Sequence, residues 1–449
     1  MTIENIFDIQ SEITRQIVTA VRGELTAAET ATLAQIPTNN LEAYEAYLQA
    51  LALIGRPDYV QDYYIEAEVW LQKALELDPQ YAHAWAMLVV SHGQAIWLGY
   101  DSSPERFAAA REAVENARLF GPGFSETLAA EGEYLYRIEN NYAAAVDKFQ
   151  AAHELAPGNA DILERLAVAQ RRAGLFDDAI ANLKKVMAMD PENSRTATLL
   201  TDTLFALGRF EEATPLVDQW MRKFPDARDL RAQRIQIYMY GDGDLKSARA
   251  LFDSLAPWPG NQFYVVATEL PMMERNYQGV IEAFEIPEIV ELLQNRGFIG
   301  VDGWTVGFAQ RMLGNEDDAI ARFDATIDLI ANAVRSGTNT DGFEFSVQAA
   351  ALASRGRFDE AIAAADRAVE IMQSGEDALF TASVRFIRAL VLGMAGKREE
   401  SLAELENLFE QGIYIARWYL YLDPKWDFFR DDERFNELVR PLNLEEVRQ

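Results

Sequence analysis

Three prolines spaced 34 residues apart, Pro157, Pro191 and Pro225, reveal a repeated unit in the middle of the chain. Four further columns keep the same spacing and the same register. They are an aromatic column (Tyr142, Phe176, Phe210), a small column (Ala145, Ala179, Ala213), an apolar column (Phe149, Leu183, Val217) and a glycine column (Gly174, Gly208). A period of this length indicates a solenoid of short supersecondary units, each contacting mainly its neighbours, instead of one compact core.

Each repeated unit has the pattern of two helices joined by a tight turn. In residues 160–193 an apolar stripe that includes Leu166 recurs at helical spacing until Gly174 interrupts it. A second stripe, which includes Ile180, then continues until Pro191 stops it. The small column predicts that the two helices cross closely, with the aromatic column filling the space beside them. The predicted fold is therefore all-α, an α-α superhelix of helix-turn-helix repeats.

These columns resemble the tetratricopeptide-repeat (TPR) family, whose repeats stack into a right-handed superhelix. Extending the register outward predicts about ten repeats over residues 41–412, with increasingly worn copies towards the ends. An amphipathic linker or capping helix is predicted at 1–40 and an aromatic-rich capping segment at 413–449, because a solenoid needs specialised ends. Prolines and glycines make 261–300 the least regular part, and the turn residues of 336–342 predict a mobile loop.

The stretches that flank the repeats resemble a narrower bacterial arrangement. They are IENIFDIQSEITRQIVTAV, PTNNLEAYEAYL and the closing DPKWDFFRDDERFNELVR. Similar stretches occur in signalling proteins that combine a TolB-like (FlgO-type) domain and TPR repeats with an adenylate or guanylate cyclase, a kinase or a winged-helix domain. The resemblance implies either the C-terminal sensory or regulatory region of such a protein or a stand-alone descendant. It carries over no catalytic residue, because the sequence lacks the domains that hold them.

The charge balance disfavours anionic partners. The sequence has 41 Lys and Arg against 71 Asp and Glu, a formal net charge of −30. Such a field repels nucleic-acid phosphates and anionic lipid surfaces, although acidity also serves solubility alone. No apolar run is long enough to cross a bilayer, so no membrane insertion is predicted. A soluble protein is predicted, with the cytoplasm favoured over the periplasm; the compartment and the oligomeric state stay open.

The sequence offers no catalytic, metal or cofactor motif. Cysteine is absent, and the three histidines, His83, His92 and His153, form no i, i+4 pair, so no thiolate or zinc site is predicted. No Gly-rich phosphate loop or nucleophile elbow occurs. Adjacent acids such as Asp177 and Asp178 fit solvated helix starts better than a catalytic dyad. The chain is predicted to be no enzyme and to need no cofactor.

The TPR resemblance also implies where a partner binds. In that family the first helix of each repeat lines the concave face, and its groove positions carry over to three consecutive repeats of this chain. The residues at these positions are Tyr134, Arg137, Glu164, Val168, Arg171, Arg172, Arg195, Thr198, Asp202 and Phe205. The predicted function is a non-enzymatic protein–protein interaction scaffold that holds a peptide or a partner domain in this groove. The alternatives are the sensory or regulatory region described above and small-molecule binding by the irregular region 261–300.

Arginine recurs among these groove residues. Arg137 and Arg171 occupy the same repeat position, and Arg172 and Arg195 lie near them. A planar guanidinium can bind a carboxylate through two hydrogen bonds, so an acidic segment or a free C-terminal carboxylate is a predicted ligand. Alternatively, neighbouring acids such as Glu164 neutralise these arginines in ordinary ion pairs. The sequence leaves both alternatives open, and it does not match the lysine–asparagine pattern of TPR clamps for chaperone tails.

Overall fold

A computed structural model describes residues 12, 13, 16, 38–55, 61–98, 100–296, 300–336, 342–374, 377–412 and 416–440. Over these residues the chain is helical and contains no strand, so the predicted all-α fold of paired helices is confirmed. Most of the predicted N-terminal helix (1–40) and most of the turn-rich loop (337–341) lie outside the described residues. The chain divides into two compact units, residues 1–191 (unit 1) and 192–449 (unit 2), a division that falls inside the predicted repeat region.

The described part of unit 1 consists of four helix pairs in sequence, each a first helix followed by a second helix. The helices are α1 (Leu41–Ile54), α2 (Gln61–Leu77), α3 (Ala82–Trp97), α4 (Pro104–Phe120), α5 (Ser125–Arg137), α6 (Tyr142–Leu155), α7 (Ala160–Arg172) and α8 (Phe176–Met189). Odd numbers are first helices here.

The described part of unit 2 continues the pattern with six pairs and adds helices of its own. The pairs are α9 (Ser194–Ala206) with α10 (Phe210–Lys223), α11 (Arg228–Gln236) with α12 (Leu245–Phe252), α13 (Asn261–Met273) with α14 (Tyr277–Ala283), α16 (Val301–Met312) with α17 (Glu316–Arg335), α18 (Gly342–Ser354) with α19 (Phe358–Ser374), and α20 (Ala378–Met394) with α21 (Arg398–Glu410). A π-helix, Ile237–Asp242, prolongs α11. An extra helix, α15 (Pro287–Arg296), interrupts the alternation inside the predicted irregular part. After α21 come α22 (Arg417–Leu422), a 3-10 helix (Pro424–Phe429) and α23 (Glu433–Val439).

The residues of the repeat columns explain why the helices pair so closely. Ala145, Ala179 and Ala213 are completely buried on their second helices, as a close crossing requires. Three first helices, α1, α7 and α9, begin at asparagine caps; in α7 the Asn159 side chain accepts a hydrogen bond from the Ile162 amide at 3.2 Å. The next cap, Asn193, lies 34 residues further on, in the register of the repeat.

A left-handed turn residue precedes eight consecutive second helices, always two residues before the helix begins. These residues are Asn140, Gly174, Gly208, Gly243, Arg275, Gly314, Gly356 and Gly396, all with positive φ. Glycine adopts this conformation without a steric penalty, whereas an L-residue with a side chain pays about 1–2 kcal/mol. Asparagine tolerates it better than most residues, so Arg275, with φ of 58°, is the exception in the column.

Candidate partner-binding faces

In unit 1 the predicted groove residues separate into exposed and buried groups. Val168 and Arg171 are half-buried on the stripe of α7 that faces solvent. Glu164, Arg172 and Tyr134 are buried. The α7 stripe is therefore the part of the predicted set in unit 1 that a partner could reach without rearrangement.

Arg137 lies in an internal ion-pair network. The Glu133 carboxylate, 3% exposed, accepts hydrogen bonds from Arg137 Nε and from Arg165 Nη1, each at 2.6 Å. Arg165 Nε also donates to Asp161 at 2.8 Å. Burial opposes ionisation of Glu133, but the two arginines outweigh it and lower the pKa of this carboxyl group. Arg137 is thus committed to holding a buried carboxylate.

Trp97 lies beneath two of the predicted arginines. The guanidinium carbons of Arg137 and Arg172 are 5.6 Å and 5.0 Å from a Trp97 ring centroid, within the range of cation–π contacts. Arg172 Nη2 also lies 3.3 Å from the Tyr142 hydroxyl oxygen, to which it donates. Both arginines lie in the last turn of their helices, where a cation is favoured by the helix dipole.

Both Arg137 and Arg172 thus have internal partners: Arg137 pairs with Glu133, and Arg172 contacts the Tyr142 hydroxyl and the Trp97 ring. Binding of an acidic ligand by these arginines stays a prediction. Arg171 and Arg195 also have partners within the protein. Arg137 and Arg171, which share one repeat position, both lie in the last turn of their helices, where the helix dipole favours a cation.

In unit 2 the predicted residues Arg195, Thr198, Asp202 and Phe205 are all half-buried on α9. The Asp202 carboxylate accepts hydrogen bonds from Gln233 Nε2 at 2.7 Å and from Gln262 Nε2 at 2.9 Å. These contacts form a polar ladder across α9, α11 and α13.

The last part of the described chain contacts several of the other first helices of unit 2, among them α16 at Trp304 and α20 at Phe386. Residues 416–440, called here the C-terminal segment, cross from the π-helix to α20. The Tyr419 ring lies 5.9 Å from the Tyr240 ring and 5.7 Å from the Phe386 ring. A Cβ on Gly243 would come within 2.5 Å of Trp418, so glycine is required at this contact for steric reasons as well.

Ion pairs fasten the middle of the C-terminal segment to two different parts of unit 2. Arg275, after α13, donates two hydrogen bonds to Asp427 at 2.7 and 2.9 Å. Arg398, on α21, lies 2.9 Å from an oxygen of Asp432. The segment thus packs on the last helix pair and also reaches helices far earlier in the chain.

The C-terminal segment contributes several fully buried side chains to the hydrophobic core. Five of its side chains have no exposed surface: Leu420, Trp426, Phe429, Phe435 and Val439. Burial of a large apolar side chain contributes roughly 1.5–3 kcal/mol, so the five together contribute on the order of 10 kcal/mol. The aromatic crowding at 416–440 is therefore packing, whereas Tyr414 and residues 441–449 lie outside the described residues.

No metal-binding group of three or more His, Cys, Asp or Glu occurs among the described residues. The histidines have structural surroundings: His92 lies against the Arg106–Glu68 pair, and His83 Nε2 is 3.5 Å from Glu126. Across the described helices, none combines the length and the apolar character needed to span a bilayer.

Comparisons with known proteins point to one repeat family. A tetratricopeptide-repeat model matches residues 171–236, from the end of α7 to the end of α11. No curated protein sequence matches the chain. The narrower resemblance to TolB-like signalling proteins is not confirmed and stays a prediction.

Three solved structures are similar to parts of the chain. A tetratricopeptide repeat protein from Parabacteroides merdae is 14% identical, covers 60% of this chain and 98% of its own length, and gives a TM-score of 0.41. PilW, a type IV pilus biogenesis factor, is 18% identical with coverages of 51% and 99% and a TM-score of 0.41. Pseudomonas aeruginosa PilF is 21% identical with coverages of 51% and 98% and a TM-score of 0.38. Residues 171–236 are thus similar to tetratricopeptide repeats, and paired helices lie on both sides of this stretch.

Proposed function

We propose that this chain is a non-enzymatic scaffold that binds a peptide or a partner domain along the solvent-facing stripes of its first helices. The observation that carries the proposal is the position of the C-terminal segment, which lies across the first helices of unit 2. It supports the idea that such a surface accepts an aromatic segment fastened by ion pairs. Tetratricopeptide repeats within 171–236 also favour protein binding as the general activity.

A comparison of free energies favours the solvent-facing stripes of α7 and α9 as the binding surface over the surface beneath the C-terminal segment. A ligand with a Kd of 1 μM supplies about 8.2 kcal/mol, less than the contribution on the order of 10 kcal/mol that the five buried side chains make. An incoming peptide that displaced the segment would have to replace this buried contact. Val168 and Arg171 on α7, and Thr198 and Phe205 on α9, are half-buried and accessible in the fold as it stands.

Photo-crosslinking tests the proposal directly. A benzophenone amino acid is placed at Val168 or at Thr198 in the full chain, and cross-linking is carried out in cells of the native host. The matched controls carry the same amino acid at Lys184 on α8 and Glu211 on α10, which are exposed on second helices. We expect one discrete cross-linked protein from a first-helix position and none from the controls.

A purified partner then allows a quantitative check. Val168→Glu or Thr198→Glu is expected to weaken its Kd at least tenfold, equivalent to about 1.4 kcal/mol, whereas Lys184→Glu leaves it unchanged. Cross-linking of equal strength at all four positions, or only at the controls, would contradict binding along the first helices.

A further inference from the structure

A partly buried polar cluster lies where the C-terminal segment meets the first helices of unit 2. The Tyr240 hydroxyl of the π-helix donates a hydrogen bond to the Glu269 carboxylate of α13. From the C-terminal segment, Asp423 and Lys425 lie close enough to act on Glu269 electrostatically. Lys425 Nζ is 2.8 Å from Asp423 Oδ2, and both side chains are largely buried. Two carboxyl groups therefore share one lysine at this interface.

The other charged or titratable groups at the cluster do not offset the excess of carboxyl groups over cations. Tyr419 of the C-terminal segment hydrogen-bonds to Asp423, and Tyr264 lies on the same helix as Glu269. Asp302 of α16 acts on Tyr264 from the next first helix. Lys425 is the cation among these groups, and its ammonium is also 5.9 Å from the Trp304 ring.

The cluster therefore favours one proton on its carboxyl groups. Burial raises the pKa of Glu269 from 4.5 to about 7, with a smaller contribution in the same direction from Asp423. The Tyr240 hydrogen bond and Lys425 oppose this rise without cancelling it. The seated C-terminal segment thus holds Glu269 in its neutral form at mildly acidic pH.

A second contact holds the C-terminal segment at a local conformational cost. Arg275 occupies a turn position where glycine stands in six of the eight repeats, and its side chain bonds Asp427. An arginine in the left-handed region is disfavoured on its own, so its ion pair with the segment accounts for its presence there.

We propose that residues 416–430 form a proton-linked strap, which seats on the first helices of unit 2 when Glu269 is protonated and loosens when Glu269 ionises. The sign follows from linkage: if opening of the strap admits water to Glu269, the open state binds protons less tightly than the seated state. Opening is therefore favoured as pH rises from about 4.5 through about 7. This pH-dependent seating of the strap depends only on the interface around Glu269 and not on where a partner binds.

Hydrogen–deuterium exchange of the full chain tests the strap. Amide protection of peptides within 416–430 is measured at pH 5.5 and pH 8, after correction for the intrinsic pH dependence of exchange, with peptides of α8 as the internal control. Between these pH values we expect protection of the strap to fall roughly tenfold or more, the size that linkage gives for this pKa difference. Peptides of α8 should keep their corrected protection.

Two variants make the result specific. Glu269→Gln, which stays neutral, should retain the acid-state protection at pH 8. Asp423→Asn should move the midpoint of the change to lower pH, because it removes a negative charge and frees Lys425 for Glu269. Equal corrected protection of the wild-type strap at both pH values, or an unchanged pH effect in both variants, would overturn the proposal.

Discussion

Arg275 donates two hydrogen bonds to Asp427, a residue 152 positions later in the chain, from a backbone conformation that most repeats of this protein reserve for glycine. Both side chains are more than a third exposed. Exposed ion pairs typically contribute 0.2–1 kcal/mol, no more than the about 1–2 kcal/mol that the left-handed conformation costs an L-residue. The pair therefore positions the C-terminal segment without adding much to global stability.

Arg275→Gly separates these two effects. The glycine removes the backbone penalty but raises the entropy of the unfolded chain by about 0.4–1 kcal/mol and loses the ion pair. We expect the free energy of unfolding in urea to change by less than about 1 kcal/mol, because these terms offset one another. Exchange protection within 416–430 should nevertheless decrease. Asn140→Gly, at the same turn position in unit 1, is the matched control and should leave the protection of the segment unaltered.

Ala179→Leu tests the close crossing of the helices. Ala179 has no exposed surface on α8, so three additional carbon atoms must displace its neighbours. Overpacking of this kind costs on the order of 1–3 kcal/mol, measurable by urea denaturation. Ala181→Leu, at an exposed position of the same helix, should be nearly neutral. Equal effects of the two substitutions would mean that the small column does not mark a tight contact.

Arg137→Ala tests whether this arginine is structural. The substitution leaves the buried Glu133 with Arg165 alone and removes one of the two cations over Trp97. Breaking a buried pair typically costs 3–5 kcal/mol, and the remaining arginine should reduce this to about 2–3 kcal/mol in thermal or urea unfolding. Arg118→Ala is the control, because Arg118 is mostly exposed and Glu131 keeps Lys148. We expect less than about 1 kcal/mol for that variant.

Glu269→Gln should change the pH dependence of global stability. A carboxyl group whose pKa is raised in the folded state contributes stability below its unfolded pKa of 4.5 and loses it as pH rises through about 7. At 1.36 kcal/mol per pKa unit, the difference corresponds to roughly 3 kcal/mol by pH 8. The variant should therefore exceed the wild type in unfolding free energy at pH 8 and match it most closely near pH 4.5. Glu285→Gln, an exposed substitution on the same unit, should show no such divergence.

The repeat pattern predicted the paired helices because the information it uses is local. Ala179 and Gly174 report a helix crossing and a turn within their own repeat, and both behave as expected in the structure. At Arg275 the turn is present but the glycine is not, so the glycine column alone could not locate this turn. The structure finds the same left-handed geometry there.

The path of the C-terminal segment could not be predicted in the same way. Its aromatic residues indicated packing, but contacts such as Tyr419 with Tyr240 join positions far apart in sequence and leave no periodic signal. For the predicted groove, the repeat register placed residues on first helices correctly. It could not show that the Trp97 ring lies against the guanidinium groups of Arg137 and Arg172.

The separation between Arg275 and Asp427 also sets a delay during protein synthesis. Ribosomes add about 5–20 residues per second, so roughly 8–30 seconds pass between the two residues. During that interval Val266 and Leu270 of α13 lack the cover that Tyr419 and Leu422 later provide. Exposed apolar surface on a growing chain is what chaperones bind. Newly made unit 2 should therefore remain a chaperone client until its last residues leave the ribosome.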